Sequence, residues 1–342
     1  MTALASNPRR ARAAAWVDAL RIEYQGDNLV AWFTVCAVAA TTGSLPLRWM
    51  GLGVLMLVTA QCAVELLDGY HDFVQGAHRP KAQGEQVWTG GSGVLAAKRL
   101  EPAAVNRAAW TLGAIAAVLM CVTFLRTGWV GIATSVLAVV CSIGWAMPPL
   151  KLSYRGLGEL TVGVIAGPLL TLQAWLIATG SFDSRAVWIG VPFGLLETAM
   201  ALMHGICDRE TDAAVGKRTL VVRIGDRAAA HLHVFALVAA FAAILGLVLA
   251  KIFPPLALLS LLVVPLAVRS GRLAHRVAAD RTTLAQAMRS FPAYGIHAAV
   301  GVILVVTCAT ALPLLEAAAV LGGFAVCYAP VALVLAKRRV DG

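Results

Sequence analysis

The stretch VELLDGYHD, Val64 to Asp72, sets Asp68 and Asp72 four residues apart, with Glu65 one turn earlier. CDRETD, Cys207 to Asp212, repeats the spacing at Asp208 and Asp212, with Glu210 between them. Residues i and i+4 share a helix face, so each pair aims both carboxylates one way. Two such faces opposed across a bundle make a cage of hard oxygen donors. Magnesium is held by one or two carboxylates together with waters and phosphate oxygens, so Asp68, Asp72, Asp208 and Asp212 are candidate catalytic and metal-ligating residues, enough for two ions around one diphosphate.

Bases accompany the acids. Lys217 and Arg218 follow the second pair, Lys151 and Arg155 lie in PPLKLSYRGLGE, and Arg79, Lys81, Lys98 and Arg99 follow the first pair. Clustered carboxylates need cations nearby, and a departing diphosphate needs positive charge. Lys151, Arg155, Lys217 and Arg218 are the candidate diphosphate contacts. Glu65, His71, Tyr154, Gln173, Glu197 and His204 are candidate substrate contacts, Gln173 and Glu197 because polar groups inside apolar spans ordinarily face a cavity or a partner. Trp88, Trp145, Trp175 and Trp188 read as interface anchors or core. A single DxxxD at a helix end is ordinarily a solvated terminus. Here acids oppose the macrodipole at two helix ends, and that repetition points to bound cations.

The elements that position these residues are membrane helices. Of 342 residues, 59% are hydrophobic and 13% charged, against about 25% charged in soluble domains. A bilayer core of about 30 Å demands roughly 17 to 25 apolar residues per helix. The fold class is therefore all-α integral membrane, with ten apolar stretches at 29–42, 46–67, 104–125, 129–147, 159–180, 186–207, 230–250, 253–268, 293–312 and 314–336. The first is short and the last two meet at Pro313, so nine or ten spans fit. With both termini inside, all but Arg48, Arg126, Arg185 and Lys251 of the 28 basic residues fall on the cytoplasmic side, as positive-inside placement requires. That bias favours an even count and a plasma (inner) membrane location with cytoplasmic acidic loops. The net charge of +10 is then a topology and lipid-headgroup signal, with no nucleic-acid partner and no obligate protein partner implied.

Residues 1–28 form a basic cytoplasmic or interfacial segment without a cleavable signal core, 29–336 a single transmembrane domain, and 337–342 a cytoplasmic tail. The seven cysteines are scattered singly without CxxC spacing, and read as small core residues. The glycine-rich loop after the first pair reads as an ordered cap or a flexible lid over the acids.

Both acidic motifs, PPLKLSYRGLGEL, AGPLLTLQAWLIATG and above all DRETDAAVGKRTLVVRIG resemble the UbiA superfamily of intramembrane prenyltransferases, in particular the branch that prenylates 1,4-dihydroxy-2-naphthoate. The resemblance covers about residues 50 to 230. It implies a helical bundle around a central cavity open sideways to lipid and capped by two cytoplasmic Asp-rich loops. Asp68 and Asp72 match the acids of the first family motif, NxxxDxxxD, and Asp208 and Asp212 those of the second. The implied partners are a prenyl diphosphate, an aromatic acceptor and the bilayer, and the implied cofactor is Mg2+, as two ions. The sequence departs from the pattern at Val64, where the first motif has Asn, at His204, where Asn is expected, and at Cys207, where the naphthoate branch often has Arg. The expected activity is magnesium-dependent prenyl transfer through an allylic cation. A terpene cyclase generating the same cation without an aromatic acceptor is the alternative, and a transporter is less favoured because the acids sit at the membrane edge instead of the midplane.

Overall fold

Sixteen consecutive residues, Gln25–Ala40, are buried on every side, the pattern of a helix enclosed by other helices. The computed structural model describes residues 8–76, 91–145, 147–284, 287 and 292–340. Of the loop from Gly76 to Leu100 expected to form a cap or lid, residues 77–90, with Arg79, Lys81 and Trp88, lie outside them.

The described elements are helical throughout: α1 (Pro8–Leu20), α2 (Gln25–Ala40), α3 (Leu47–Val74), α4 (Pro102–Ile143), α5 (Gly158–Val164), α6 (Leu170–Thr179), α7 (Ser184–Ala214), α8 (Leu220–Ile224), α9 (Asp226–Leu249), α10 (Val264–Ala279), α11 (Pro292–Ala309) and α12 (Leu314–Val340). Among the described residues, eight helices are long and apolar enough to cross a membrane. Two details reconcile eight with the ten stretches read from sequence. Helix α2 is too short for that measure yet lies in the bundle centre. Helix α4 is two helices joined at Gly128, whose backbone (φ 60°, ψ −161°) is non-helical. Only glycine adopts such a conformation without strain. Val105 near one end and Ile143 at the other pack into the same cluster, so α4 folds back at Gly128. Its halves match the stretches at 104–125 and 129–147.

The reversal is fastened by its neighbour. Arg126 donates to the carbonyls of Ile177 (3.3 Å) and Ala178 (3.1 Å) in the last turn of α6, where carbonyls lack helical partners. Gly180, with φ 79°, ends that helix. Helices α5 and α6 are joined by a π turn containing Pro168, with Gly167 outside helical geometry. Glycines make the crossing with α7 possible: a Cβ on Gly194 would collide with the Gly163 carbonyl, and one on Gly190 with Thr171.

Side chains such as Leu125, Trp129, Phe235, Leu262 and Leu314 are exposed, which suits a lipid-facing surface. Trp188 is exposed and Trp175 buried, the anchor and core roles expected of them. None of the seven cysteines is bridged. Cys36, Cys207 and Cys308 are buried while Cys121 is exposed, so only some act as core.

Helix α2 begins at Gln25, and Asp27 and Asn28 are buried in its first turn. Helix α1 packs through Ala15 and Ala19 against Leu66 and Leu67 of α3, and Arg99 pairs with Asp18 at 2.7 Å. Arg99 thus ties the chain after the first acidic motif to α1.

Candidate active site

Helices α3 and α7 each carry a DxxxD in their last two turns. Asp68, Asp72, Asp208 and Asp212 all line one chamber of about 290 Å³, together with Glu65, His71, Glu197, His204 and Lys217. The i, i+4 spacing therefore aims both pairs into one space. Glu210, off that face, is instead exposed and pairs with Arg281 at 3.3 Å.

Lys217 joins the two pairs. Its Nζ lies 3.6 Å from Oδ2 of Asp72 and 3.7 Å from Oδ1 of Asp212. The chain reaches this position through a tight turn after α7: the Lys217 N–H bonds the Asp212 carbonyl at 2.9 Å, and Gly216 takes φ 73°. Burial pulls the Lys217 ammonium down, but Asp72, Asp212 and Asp68 outweigh burial and hold its pKa above the ordinary value. The ring of Tyr154 lies 5.7 Å from the same Nζ, and burial with Asp72 beside it raises the phenol pKa.

The other proposed phosphate contacts are placed elsewhere. Lys151 donates to Gln75 at 3.0 Å and stacks over Tyr154. Arg155 donates to the Pro149 carbonyl at 2.8 Å, and Arg218 is exposed. None of the three, nor Tyr154, is among the chamber-lining residues. Gln173 departs from expectation too: it accepts a bond from Thr134 at 2.9 Å, so the polar group serves helix packing, and it does not line the chamber. Trp145 also differs, since it forms part of the chamber wall.

Several lining residues escaped the sequence reading: Arg21, Tyr24, Asp27, Asn28, Gln61 and Glu159. Arg21 donates to Glu65 at 3.1 Å and lies 4.2 Å over the Tyr24 ring. Burial lowers the Arg21 pKa, but Tyr24 and Glu65 raise it more, so the guanidinium stays charged. Beyond the second acid pair, Arg281 donates to the Ile206 carbonyl at 2.6 Å and contacts Asp226 at 3.6 Å, while Arg209 bonds Asp226 at 3.2 Å. These contacts tie the end of α7 to α9 and to the segment after α10.

Long apolar helices thus surround one polar chamber into which two acid pairs and a lysine between them project. The UbiA prenyltransferase family model matches residues 29–291, and the chain belongs to that family. It is 26% identical over 211 residues to 1,4-dihydroxy-2-naphthoate octaprenyltransferase of Bacillus subtilis, covering 60% of this chain and 64% of that relative. The match thus spans just under two thirds of that protein. The enzyme of the same name from Escherichia coli is 24% identical over 283 residues, 78% of this chain and 86% of that one. A UbiA homolog from Archaeoglobus fulgidus, whose structure was solved bound to GPP and Mg2+, shares the fold with a TM-score of 0.52 at 12% identity, covering 85% of this chain and 99% of that one.

Proposed function

We propose that this protein transfers a prenyl group from an isoprenoid diphosphate to an aromatic acceptor of the 1,4-dihydroxy-2-naphthoate kind, within the membrane and with its acid pole toward the cytoplasm. The observation that carries this reading is the convergence of Asp68 and Asp72 from α3, Asp208 and Asp212 from α7, and Lys217 on one chamber. Two relatives, 26% and 24% identical, are 1,4-dihydroxy-2-naphthoate octaprenyltransferases, and a fold relative was solved bound to GPP and Mg2+.

The residues fit magnesium. Four carboxylates supply hard oxygen donors, and Oδ1 of Asp68 is buried without a hydrogen-bond partner among the described residues. Asp68, Asp72, Asp208 and Asp212 would hold the metal, two pairs suiting two ions. Bound there, magnesium supplies Lewis-acid assistance to the leaving diphosphate oxygens.

The remaining work falls to the chain. Lys217 brings a positive charge, held protonated by its acidic neighbours, to the side where the diphosphate departs. Val64, Ile143, Val162 and Met200 line the chamber and exclude water that would quench an allylic cation. The faces of Tyr24 and Trp145 in the same wall are the kind of surface that stabilises cations. The C1–O bond breaks first, its electron pair leaving with diphosphate; a ring carbon of the acceptor then bonds to the cationic prenyl C1, and the acceptor loses a proton or carbon dioxide.

The test is magnesium-dependent turnover by purified protein in lipid, with prenyl diphosphates of several lengths, with and without 1,4-dihydroxy-2-naphthoate, and products read by mass. A prenylated naphthoquinol is the expected product. A hydrocarbon or prenyl alcohol formed equally well without acceptor would assign the same cage to cyclisation, the reaction that Val64 in place of the motif asparagine keeps open. Absence of diphosphate release refutes both.

A further inference from the structure

Away from the paired acids, three buried ionisable side chains from three helices meet: Asp27 of α2, Glu197 of α7 and His297 of α11. Glu197 precedes Asp208 by eleven residues, roughly 16 Å along α7 at 1.5 Å per residue, so this group is separate from the acid cage. Asp27 and Glu197 nevertheless line the same chamber.

The spacing also suits the ligands of one ion. Nδ1 of His297 lies 3.5 Å from Oδ1 of Asp27 and 3.3 Å from Oε1 of Glu197, and the three candidate ligand atoms lie within 4.8 Å of one another. Charge-assisted hydrogen bonds run about 2.7–2.9 Å, so both separations are too long. The edge of a tetrahedral shell with bonds of about 2.0–2.2 Å is about 3.3–3.6 Å, which both separations match. The imidazole is 1% exposed and Asp27 2%, and Nδ1, Nε2 and both Asp27 oxygens have no hydrogen-bond partner among the described residues. One Nδ1 carries at most one proton and so cannot satisfy two carboxylates. With one proton on Nδ1, the second carboxylate is left to take up a proton itself or to bind a cation.

We propose that Asp27, Glu197 and His297 form a second cation site, for a borderline divalent ion of the zinc type. Imidazole among the donors disfavours magnesium and suits zinc-like ions. A divalent ion cancels the two carboxylate charges, and three protein ligands leave a fourth position open. Because Asp27, Asn28 and Glu197 line the chamber, an ion held here would be within reach of a substrate oxygen in it. A hydroxyl or carboxylate oxygen of the aromatic acceptor is the occupant, a role that rests on the prenyl-transfer reading; the ion site itself does not.

The full-length protein, stripped with chelator, reloaded with Zn2+ in excess Mg2+ and desalted in lipid nanodiscs, is assayed for bound metal by mass spectrometry. One zinc per chain is expected in the wild type, retained by Asp68→Asn and Asp72→Asn and lost from Glu197→Gln and His297→Ala. Co2+ in the wild-type protein should give the visible absorption of a tetrahedral nitrogen and oxygen site, a readout that needs neither turnover nor a folded variant. A wild type without retained zinc or a Co2+ band overturns the site, as does undiminished zinc in His297→Ala. Zinc retained by a protein that releases no diphosphate supports the site while counting against prenyl transfer, so the two readings fail separately.

Discussion

The ammonium of Lys217 stands 3.6 Å from the carboxylate of Asp72 and links the end of α3 to the turn that follows α7. The same ammonium lies 3.7 Å from Asp212, so one cation serves both acid pairs. Lys217→Met is therefore expected to cut turnover about 100- to 1000-fold, the scale of losing one preorganised donor to developing negative charge. The loss should be larger in kcat/KM for the diphosphate than for the acceptor; steady-state kinetics with each substrate varied in turn measures this, and the opposite split would reassign the residue.

The same lysine fixes a pH expectation. Its folded pKa is raised, so its contribution to stability is complete below the unfolded value of about 10.4 and is lost only as pH rises beyond it. The charge is thus constant across ordinary assay conditions. Lys217→Met should therefore remove no alkaline limb from the pH profile of turnover between about pH 6 and about pH 9. A variant that removed an alkaline limb from that profile would contradict this.

Arg21 and Glu65 form a partly buried pair at 3.1 Å. Removing only the cation leaves a carboxylate without its charge partner, which costs about 3–5 kcal/mol in a fully buried setting and less here. Arg21→Ala should unfold at lower temperature than the wild type, and adding Glu65→Gln to it should recover part of the loss. Thermal unfolding in detergent of the two single variants and the double variant tests the pairing, and strict additivity would argue against it.

Gly194 packs against the Gly163 carbonyl with no space for a Cβ, whereas a Cβ on Gly69 meets nothing within 4 Å. Gly194→Ala should destabilise by about 1–3 kcal/mol through overpacking. Gly69→Ala, in a helix interior, should be neutral or stabilising by up to about 1 kcal/mol. The comparison separates close approach from a general effect of glycine replacement, and equal melting shifts would refute the crossing described for α5 and α7.

Asp183 caps α7, accepting the Arg185 N–H at 2.8 Å. The Arg185 hydrogen bonds hold the Asp183 pKa below the usual carboxylate range, so the cap contributes above the unfolded value near 3.9 and fades as pH falls through the folded one. Asp183→Ala should cost about 0.5–2 kcal/mol at neutral pH, read by thermal unfolding, with the difference shrinking toward strongly acidic pH.

Much of this arrangement was legible because it is local. The DxxxD spacing on a helix fixes which side chains share a face, and hydrophobic length marks the spans, including the two stretches that Gly128 divides. What sequence does not reveal is pairing across helices. Asp27 in the first turn of α2 reads as an ordinary complement to the helix dipole, and His297 as a solitary polar residue in an apolar run; only packing brings them to Glu197. Gln173 shows the converse. A polar residue in a span signals a partner, but only the fold reveals that its carbonyl oxygen meets Thr134. Among the basic residues, Lys217 is distinguished from Arg218, its neighbour, solely by the turn at Gly216 that aims one inward and the other out.

The Lys217 bridge also bears on how the protein is made. Helix α3 leaves the ribosome with Asp68 and Asp72 well before Lys217 is synthesised, and acids within a span are costly until a partner arrives. The ion pairs of Lys217 join an early helix to a segment synthesised late, so they can close only once both are in place.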